Sequence, residues 1–146
     1  MPTFNNQDLQ SQFDNNGYIA ISPLFSTDKI EEIKIELARY IKEVTPKVPD
    51  HHVFYENKDD KNTIKQLQQM YTYDHYFKEL IENSSIREVA EIVLREKAEP
   101  KNLQFFNKPP GIGKPTPPHQ DGYYFMLKKH NAVTCWLALE KVDEEN

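Results

Sequence analysis

Residues 108–122 read KPPGIGKPTPPHQDG and are the most informative stretch of the sequence. Pro117 and Pro118 keep the backbone extended, because proline fixes its own φ angle and restricts the residue before it. In an extended backbone, residues i and i+2 point to the same side. The side chains of His119 and Asp121 can therefore converge on one point.

An imidazole and a carboxylate at this spacing are suitable as the first two ligands of a metal ion. Two histidines and one carboxylate, with open positions, form the Fe(II) sites of non-haem oxygenases. A His-x-Asp spacing alone is a common chance match. Its context favours a site here, because Gly122 permits a sharp exit and residues 123–127 form an aromatic, strand-like run.

Segments spread along the chain carry a resemblance to a known family. They are QFDNNGYI at 12–19, FNKPPG at 106–111, HQD at 119–121, and CWLALE with DEEN between 135 and 146. Together they resemble the phytanoyl-CoA dioxygenase family of Fe(II)/2-oxoglutarate-dependent oxygenases, and the resemblance covers nearly the whole chain. It implies a double-stranded β-helix, or jelly-roll, of which this chain supplies the first strands.

The resemblance implies His119 and Asp121 as the first two Fe(II) ligands. For the co-substrate 2-oxoglutarate it points to Lys65, Gln104 and Trp136. A lysine suits a dianion, an amide can hydrogen-bond a carboxylate, and an indole can wall the pocket. The alternative interpretations are a surface lysine for Lys65 and a core tryptophan for Trp136. Outside the resemblance, Thr116 and Tyr123 are close enough to the triplet to line the site.

The family pattern also contains residues that this sequence lacks. Its third ligand is a histidine many tens of residues further on, and an arginine that holds 2-oxoglutarate lies beyond that. His130 is the only later histidine here, and it is the one candidate replacement within the chain. We therefore expect residues 1–146 to be a single, C-terminally truncated domain that is inactive alone.

Three interpretations of function follow. The first is an oxygenase that hydroxylates a small molecule with O2, represented here by an N-terminal fragment. The second is a non-catalytic binding or interaction module, or a degenerate paralogue of the same fold. The third is a chain that completes its metal site in a homo-oligomer. Exposed strand edges also favour self-association.

The composition indicates a folded protein. The chain has 146 residues, and an aromatic content of 12% argues against disorder. The net charge is −5, with basic residues scattered among acids, which gives no sign of nucleic-acid binding. The N-terminus lacks the basic and apolar regions of a signal peptide, and no apolar run approaches a membrane span. We expect a cytoplasmic protein without nucleic-acid or membrane partners.

Helical patterns come first in the chain and most strand patterns afterwards, which predicts an α+β fold. One predicted helix covers residues 7–14 and stops at Gly17. A second is capped by Ser26 or Thr27, has an apolar face from Ile30 to Val44, and ends at the prolines that follow. A third covers residues 74–96, with a break at 83–84 and a capping box beginning at Ser85.

The predicted strands cover residues 18–22, 52–56, 64–70, 102–107, 122–127 and 132–140. The last of these is apolar on both faces, so we expect it to be covered on both sides and Cys135 within it to be buried. Residues 128–131 are expected to form a polar turn. The mixed charges of residues 56–61 predict a solvated loop.

Overall fold

A computed structural model of the chain describes residues 5–122, 126 and 131–143. These residues form helices and a three-stranded antiparallel sheet, so the predicted α+β character is confirmed. Contacts between residues divide the chain into two compact units. Unit 1 contains the described residues up to Lys34, those of 84–98, and those from Gln120 onward; unit 2 contains residues 35–83 and 99–119. Within the described ranges, no helix is long and apolar enough to cross a membrane.

The secondary structure follows the order expected for most of the chain. The helices are α1 (Asn6–Asn16), α2 (Thr27–Arg39), α3 (Met70–Tyr73), α4 (His75–Glu82) and α5 (Ser85–Leu94). The strands are β1 (Val53–Tyr55), β2 (Ile64–Leu67) and β3 (Phe105–Phe106). A π turn at Tyr40–Val44 and 3₁₀ turns at Thr45–Lys47 and Asp50–His52 connect α2 to β1.

Local sequence signals set the helix ends. α1 ends at Gly17, which adopts a φ of 76° and donates its N–H to the Phe13 carbonyl at 2.8 Å. α2 begins where Ser26 Oγ accepts from the N–H of Lys29 at 3.3 Å. The cap of α5 is Ser84, one residue before the predicted position.

Unit 2 holds a core built around the end of α2. The α-helical geometry ends at Arg39, short of the predicted Val44, because the π turn begins at Tyr40 and Pro46 follows in the next turn. Tyr40 is 1% exposed and packs edge-on against Phe77 of α4, with ring centroids 5.4 Å apart. Leu67 and Met70 are equally buried.

The sheet in unit 2 has the order β1-β2-β3. Gln66 pairs with Phe106, and Leu67 pairs with both Val53 and Phe105. The strand predicted at 64–70 ends at Leu67 because α3 begins at Met70, and the strand predicted at 102–107 is reduced to the two residues of β3.

Two strand predictions are wrong, and a third is wrong where it can be compared. Residues 18–22 and 132–140 form no strand, and Gly122 is helical. A strand requires hydrogen bonds to a neighbour, and none of the three described strands pairs with these segments. Trp136 is consequently 82% exposed, and Cys135 is exposed rather than buried. The rest of the predicted strand at 122–127, except Met126, and most of the turn at 128–131 lie outside the described residues.

Candidate functional site

His119 follows the proline-rich segment and belongs to unit 2. Its Nδ1 lies 2.9 Å from the carbonyl oxygen of Pro117. A carbonyl can only accept a hydrogen bond, so in this contact Nδ1 carries the proton and the neutral ring has its lone pair at Nε2. Metal-binding histidines are commonly oriented by such a bond on their other nitrogen.

Asp121 belongs to unit 1, where it is half-buried. Its Oδ2 accepts a hydrogen bond from the hydroxyl of Thr134 at 2.6 Å. No local pattern pointed to Thr134, because its contact with Asp121 joins residues thirteen positions apart. This bond fixes the rotation of the carboxylate about its own axis.

The chemistry of these two side chains fits a metal site in part. An imidazole nitrogen and a carboxylate oxygen are ligand types of the facial site found in non-haem Fe(II) oxygenases. Among the residues that the structure describes, however, no group of three His, Cys, Asp or Glu side chains could hold a metal ion. His130, the candidate replacement for the third ligand, lies outside the described residues. His119 and Asp121 thus offer two donor types of such a site.

Lys65 lies in β2, where its Nζ is 3.5 Å from Oε1 of Glu56. The Glu56 side chain is only 5% exposed, so the prediction of a solvated loop is wrong for this residue. The N–H of Glu56 donates to the Thr63 carbonyl at 2.8 Å, which extends the β1–β2 hairpin and brings the carboxylate against the sheet. A buried carboxylate requires a compensating charge, and the ammonium of Lys65 supplies it.

Gln104 precedes β3 and contacts the middle of β2. Its Oε1 accepts hydrogen bonds from Nε2 of Gln66 at 2.7 Å and from Nδ2 of Asn102 at 3.2 Å. Gln66 and Lys65 are adjacent in the strand, so their side chains lie on opposite faces of the sheet. The structure therefore does not bring Lys65 and Gln104 together on one face.

The remaining predicted site residues are either exposed or outside the residues that the structure describes. Trp136 is 82% exposed and belongs to unit 1, so its alternative interpretation as a core tryptophan is wrong. Thr116 is exposed in unit 2. Tyr123 lies outside the described residues.

A histidine pair precedes β1 and forms a second polar cluster. Nδ1 of His52 lies 2.8 Å from the hydroxyl oxygen of Tyr73, and the rings of His51 and His52 are 4.3 Å apart. Burial, followed by the neighbouring charge of His51, lowers the pKa of His52 below its usual value. His52 is thus half-buried and hydrogen-bonded to α3.

Comparisons with known proteins point to one family. The family model for phytanoyl-CoA dioxygenase matches residues 13–146. The peroxisomal phytanoyl-CoA dioxygenase of Mus musculus is 27% identical over 144 residues, which cover 92% of this chain and 42% of the mouse protein. The protein of the same name from Bos taurus is 41% identical over 49 residues, covering 31% of this chain and 14% of the bovine protein. The chain thus spans less than half the length of these curated relatives, and no solved structure matches it.

Proposed function

The chain belongs to the phytanoyl-CoA dioxygenase family, and from this premise we propose that it contributes His119 and Asp121 to the metal site of an Fe(II)/2-oxoglutarate-dependent oxygenase. When bound, Fe(II) with 2-oxoglutarate supplies the oxidising chemistry by which O2 hydroxylates a small-molecule substrate. The observation that carries the proposal is that the family match spans the His119-Gln120-Asp121 triplet.

The chain's own residues prepare the two donors. The Pro117 carbonyl holds the His119 ring in the tautomer whose lone pair is at Nε2. The Thr134 hydroxyl holds Asp121 through Oδ2 and restricts the rotation of its carboxylate. Such outer hydrogen bonds reduce the freedom that a ligand loses when it binds a metal, so they support the proposed role.

Lys65 is the predicted co-substrate residue whose geometry best supports the role. An ammonium has three donors, so Lys65 can keep its contact with Glu56 and still donate to a 2-oxoglutarate carboxylate. Gln104 lies on the opposite sheet face from Lys65, and Trp136 belongs to the other unit, so their roles rest on the family resemblance.

The wider architecture is also part of the proposal. We propose that the antiparallel sheet β1-β2-β3 belongs to a double-stranded β-helix, because jelly-rolls are built from antiparallel strands. In the family pattern the third ligand and the 2-oxoglutarate arginine come many tens of residues after the first two.

The mouse relative is named peroxisomal, and a cytoplasmic location for this chain stays a prediction.

A non-catalytic binding module is the alternative function. One observation favours it: the described part of the chain contains no group of three side chains suited to a metal ion. A module of this kind would keep the family fold without needing a complete facial site.

Metal titration separates these functions. We expect Mn(II), used as an Fe(II) surrogate and followed by electron paramagnetic resonance, to bind the chain weakly, because two protein ligands make an incomplete site. His119→Ala or Asp121→Ala removes a ligand and should weaken binding by at least about tenfold, since losing even an outer-shell partner of a ligand typically costs that much. His75→Ala, at an exposed histidine of α4, is the matched control and should bind as the wild type does.

Equal Mn(II) affinities for the wild type and His119→Ala would overturn the proposal and favour the binding module. Succinate formation from 2-oxoglutarate, above an iron-only blank and abolished by Asp121→Ala, would support turnover by this chain. It would also contradict the expectation that the chain is inactive alone.

A further inference from the structure

One carboxylate oxygen in unit 2 contacts two functionally distinct segments. Oε1 of Glu56 lies 3.5 Å from Nζ of Lys65 and accepts the N–H of Lys114 at 3.4 Å. Both contacts are long, and the Glu56 side chain that makes them is 5% exposed. Glu56 thus joins the proposed co-substrate lysine to the segment that runs from Lys114 to His119.

The chain between β3 and Lys114 forms a compact turn. Gly113 donates its N–H to the Pro109 carbonyl at 2.9 Å, and Gly111 adopts a φ of 77°, which favours glycine. A Cβ added at Gly113 would lie 3.1 Å from Cβ of Lys108 and from the Pro109 oxygen. The turn therefore has little room to change its shape.

Both ends of this turn are fastened to the β1–β2 hairpin. At its start, Asn107 donates its N–H to the Lys65 carbonyl at 2.8 Å and its Nδ2 to the Ile64 carbonyl at 3.0 Å. At its end, the Lys114 N–H donates to Glu56. Because the turn is compact, the position of Lys114 and the direction of the following segment depend on this second attachment.

We propose that Glu56 is a positioning residue that aims the segment carrying His119 and holds the ammonium of Lys65 at the same time. The inference rests on the proposed function, since it gives Glu56 its role through the metal ligand and the co-substrate lysine. Glu56 itself touches neither metal nor co-substrate. Its charge keeps Lys65 in place, and its oxygen keeps Lys114 in place.

The test uses the full chain in four forms: wild type, Glu56→Ala, Glu56→Gln and the control Glu99→Ala. Glu99 is an exposed residue of the same unit whose ion pair with Lys101 lies outside the turn. Amide hydrogen exchange at Lys114, measured by NMR, reports the attachment without any metal. Mn(II) affinity, measured by electron paramagnetic resonance, reports the effect on His119.

In Glu56→Ala we expect exchange at Lys114 to be about fivefold faster, as for the loss of one hydrogen bond. Mn(II) binding should weaken by about threefold, which is less than the roughly tenfold or greater loss typical of a residue bonded directly to a metal ligand, because Glu56 acts on His119 only through the intervening segment. Glu56→Gln keeps an acceptor oxygen, so exchange and Mn(II) affinity should stay close to wild type. Glu99→Ala should change neither quantity.

Unchanged exchange at Lys114 in Glu56→Ala, or faster exchange with unchanged Mn(II) affinity, would overturn the inference. If Glu56→Ala does not fold, Glu56→Gln still decides the matter, because faster exchange there would contradict the attachment through the side-chain oxygen. Failure of the proposed function gives a different result: His119→Ala would then bind Mn(II) as the wild type does, while the exchange at Lys114 would still respond to Glu56→Ala.

Discussion

Strand β2 pairs with β1 and β3, whereas residues 132–140 pair with no strand of the described chain. Leu67, at the end of β2, is 1% exposed, and Trp136, in the middle of the other segment, is 82% exposed. Both segments have sequences suited to strands. A strand-like sequence therefore indicates which side chains a strand can bury, and a paired neighbour is needed for that burial to occur.

Alanine substitutions at Leu67 and Trp136 test this difference in burial through the free energy of unfolding. Leu67→Ala removes a fully buried side chain and should lower the free energy of unfolding by about 2–5 kcal/mol. Trp136→Ala removes a larger but exposed side chain and should change it by no more than about 0.5 kcal/mol. Urea denaturation followed by far-ultraviolet circular dichroism measures both. A comparable loss of stability in the two variants would contradict the difference in burial between Leu67 and Trp136.

A smaller loss of stability is expected when a carboxylate is removed from each unit, Asp74 from unit 2 and Asp121 from unit 1. Asp74 caps α4 by accepting from the N–H groups of Tyr76 and Phe77, and its Oδ2 accepts from Arg39 at 2.7 Å. Asp74→Ala should therefore cost about 1–2 kcal/mol of stability, mainly through the lost cap. Asp121→Ala loses its bond to Thr134 and should cost about 0.5–1 kcal/mol.

The same urea denaturation gives both values. Asp74→Asn serves as the control, since asparagine is also a good N-cap and should recover most of the loss. A cost for Asp121→Ala that exceeds the cost for Asp74→Ala would mean that Asp121 and Thr134 are more firmly packed than their exposure indicates.

The smallest effect concerns pH. The pKa of His52 is lowered in the folded protein, chiefly by burial, so the unfolded chain binds the proton more readily. Stability is therefore full above the unfolded value of about 6.5 and falls as the pH drops from there through the lower folded pKa. The urea midpoint should decline slightly between about pH 7 and pH 5 for this reason.

His52→Gln should reduce this decline, whereas His75→Gln, at an exposed histidine, should leave it in place. This loss of stability arises next to the sheet, because the carbonyl of His52 accepts the N–H of Gln68 at 2.9 Å. Residues 131–143 contain no histidine and should not contribute. An unchanged slope in His52→Gln would show that other groups cause the decline.

Local signals made much of the fold predictable. Gly17 ends α1, Ser26 caps α2, and the apolar spacing of α5 places Val89 and Val93 in the core. Each of these signals comes from residues within a few positions of each other, so it can be recognised in the sequence alone. Strands were also predicted at 52–56 and 64–70, where β1 and β2 lie, although their pairing was not.

Features that depend on distant neighbours were not predictable. The apolar pattern at 132–140 does not show whether another strand pairs with it. The burial of Glu56 depends on the register of the hairpin and on Lys114, which is far away in the sequence. The same limit applies to the candidate site. His119 and Asp121 were predicted from their spacing, its context and the family resemblance, whereas the hydroxyl of Thr134 that holds Asp121 had no sequence signal.

The exposure of Trp136 has a spectroscopic consequence. It is the only tryptophan of the chain, and it is already 82% in solvent when the chain is folded. Its fluorescence emission should therefore lie near the wavelength of a water-exposed indole and shift little when the chain unfolds. Any molecule or second copy that covers residues 132–140 would move the emission to shorter wavelength, so the native chain carries its own optical reporter of association.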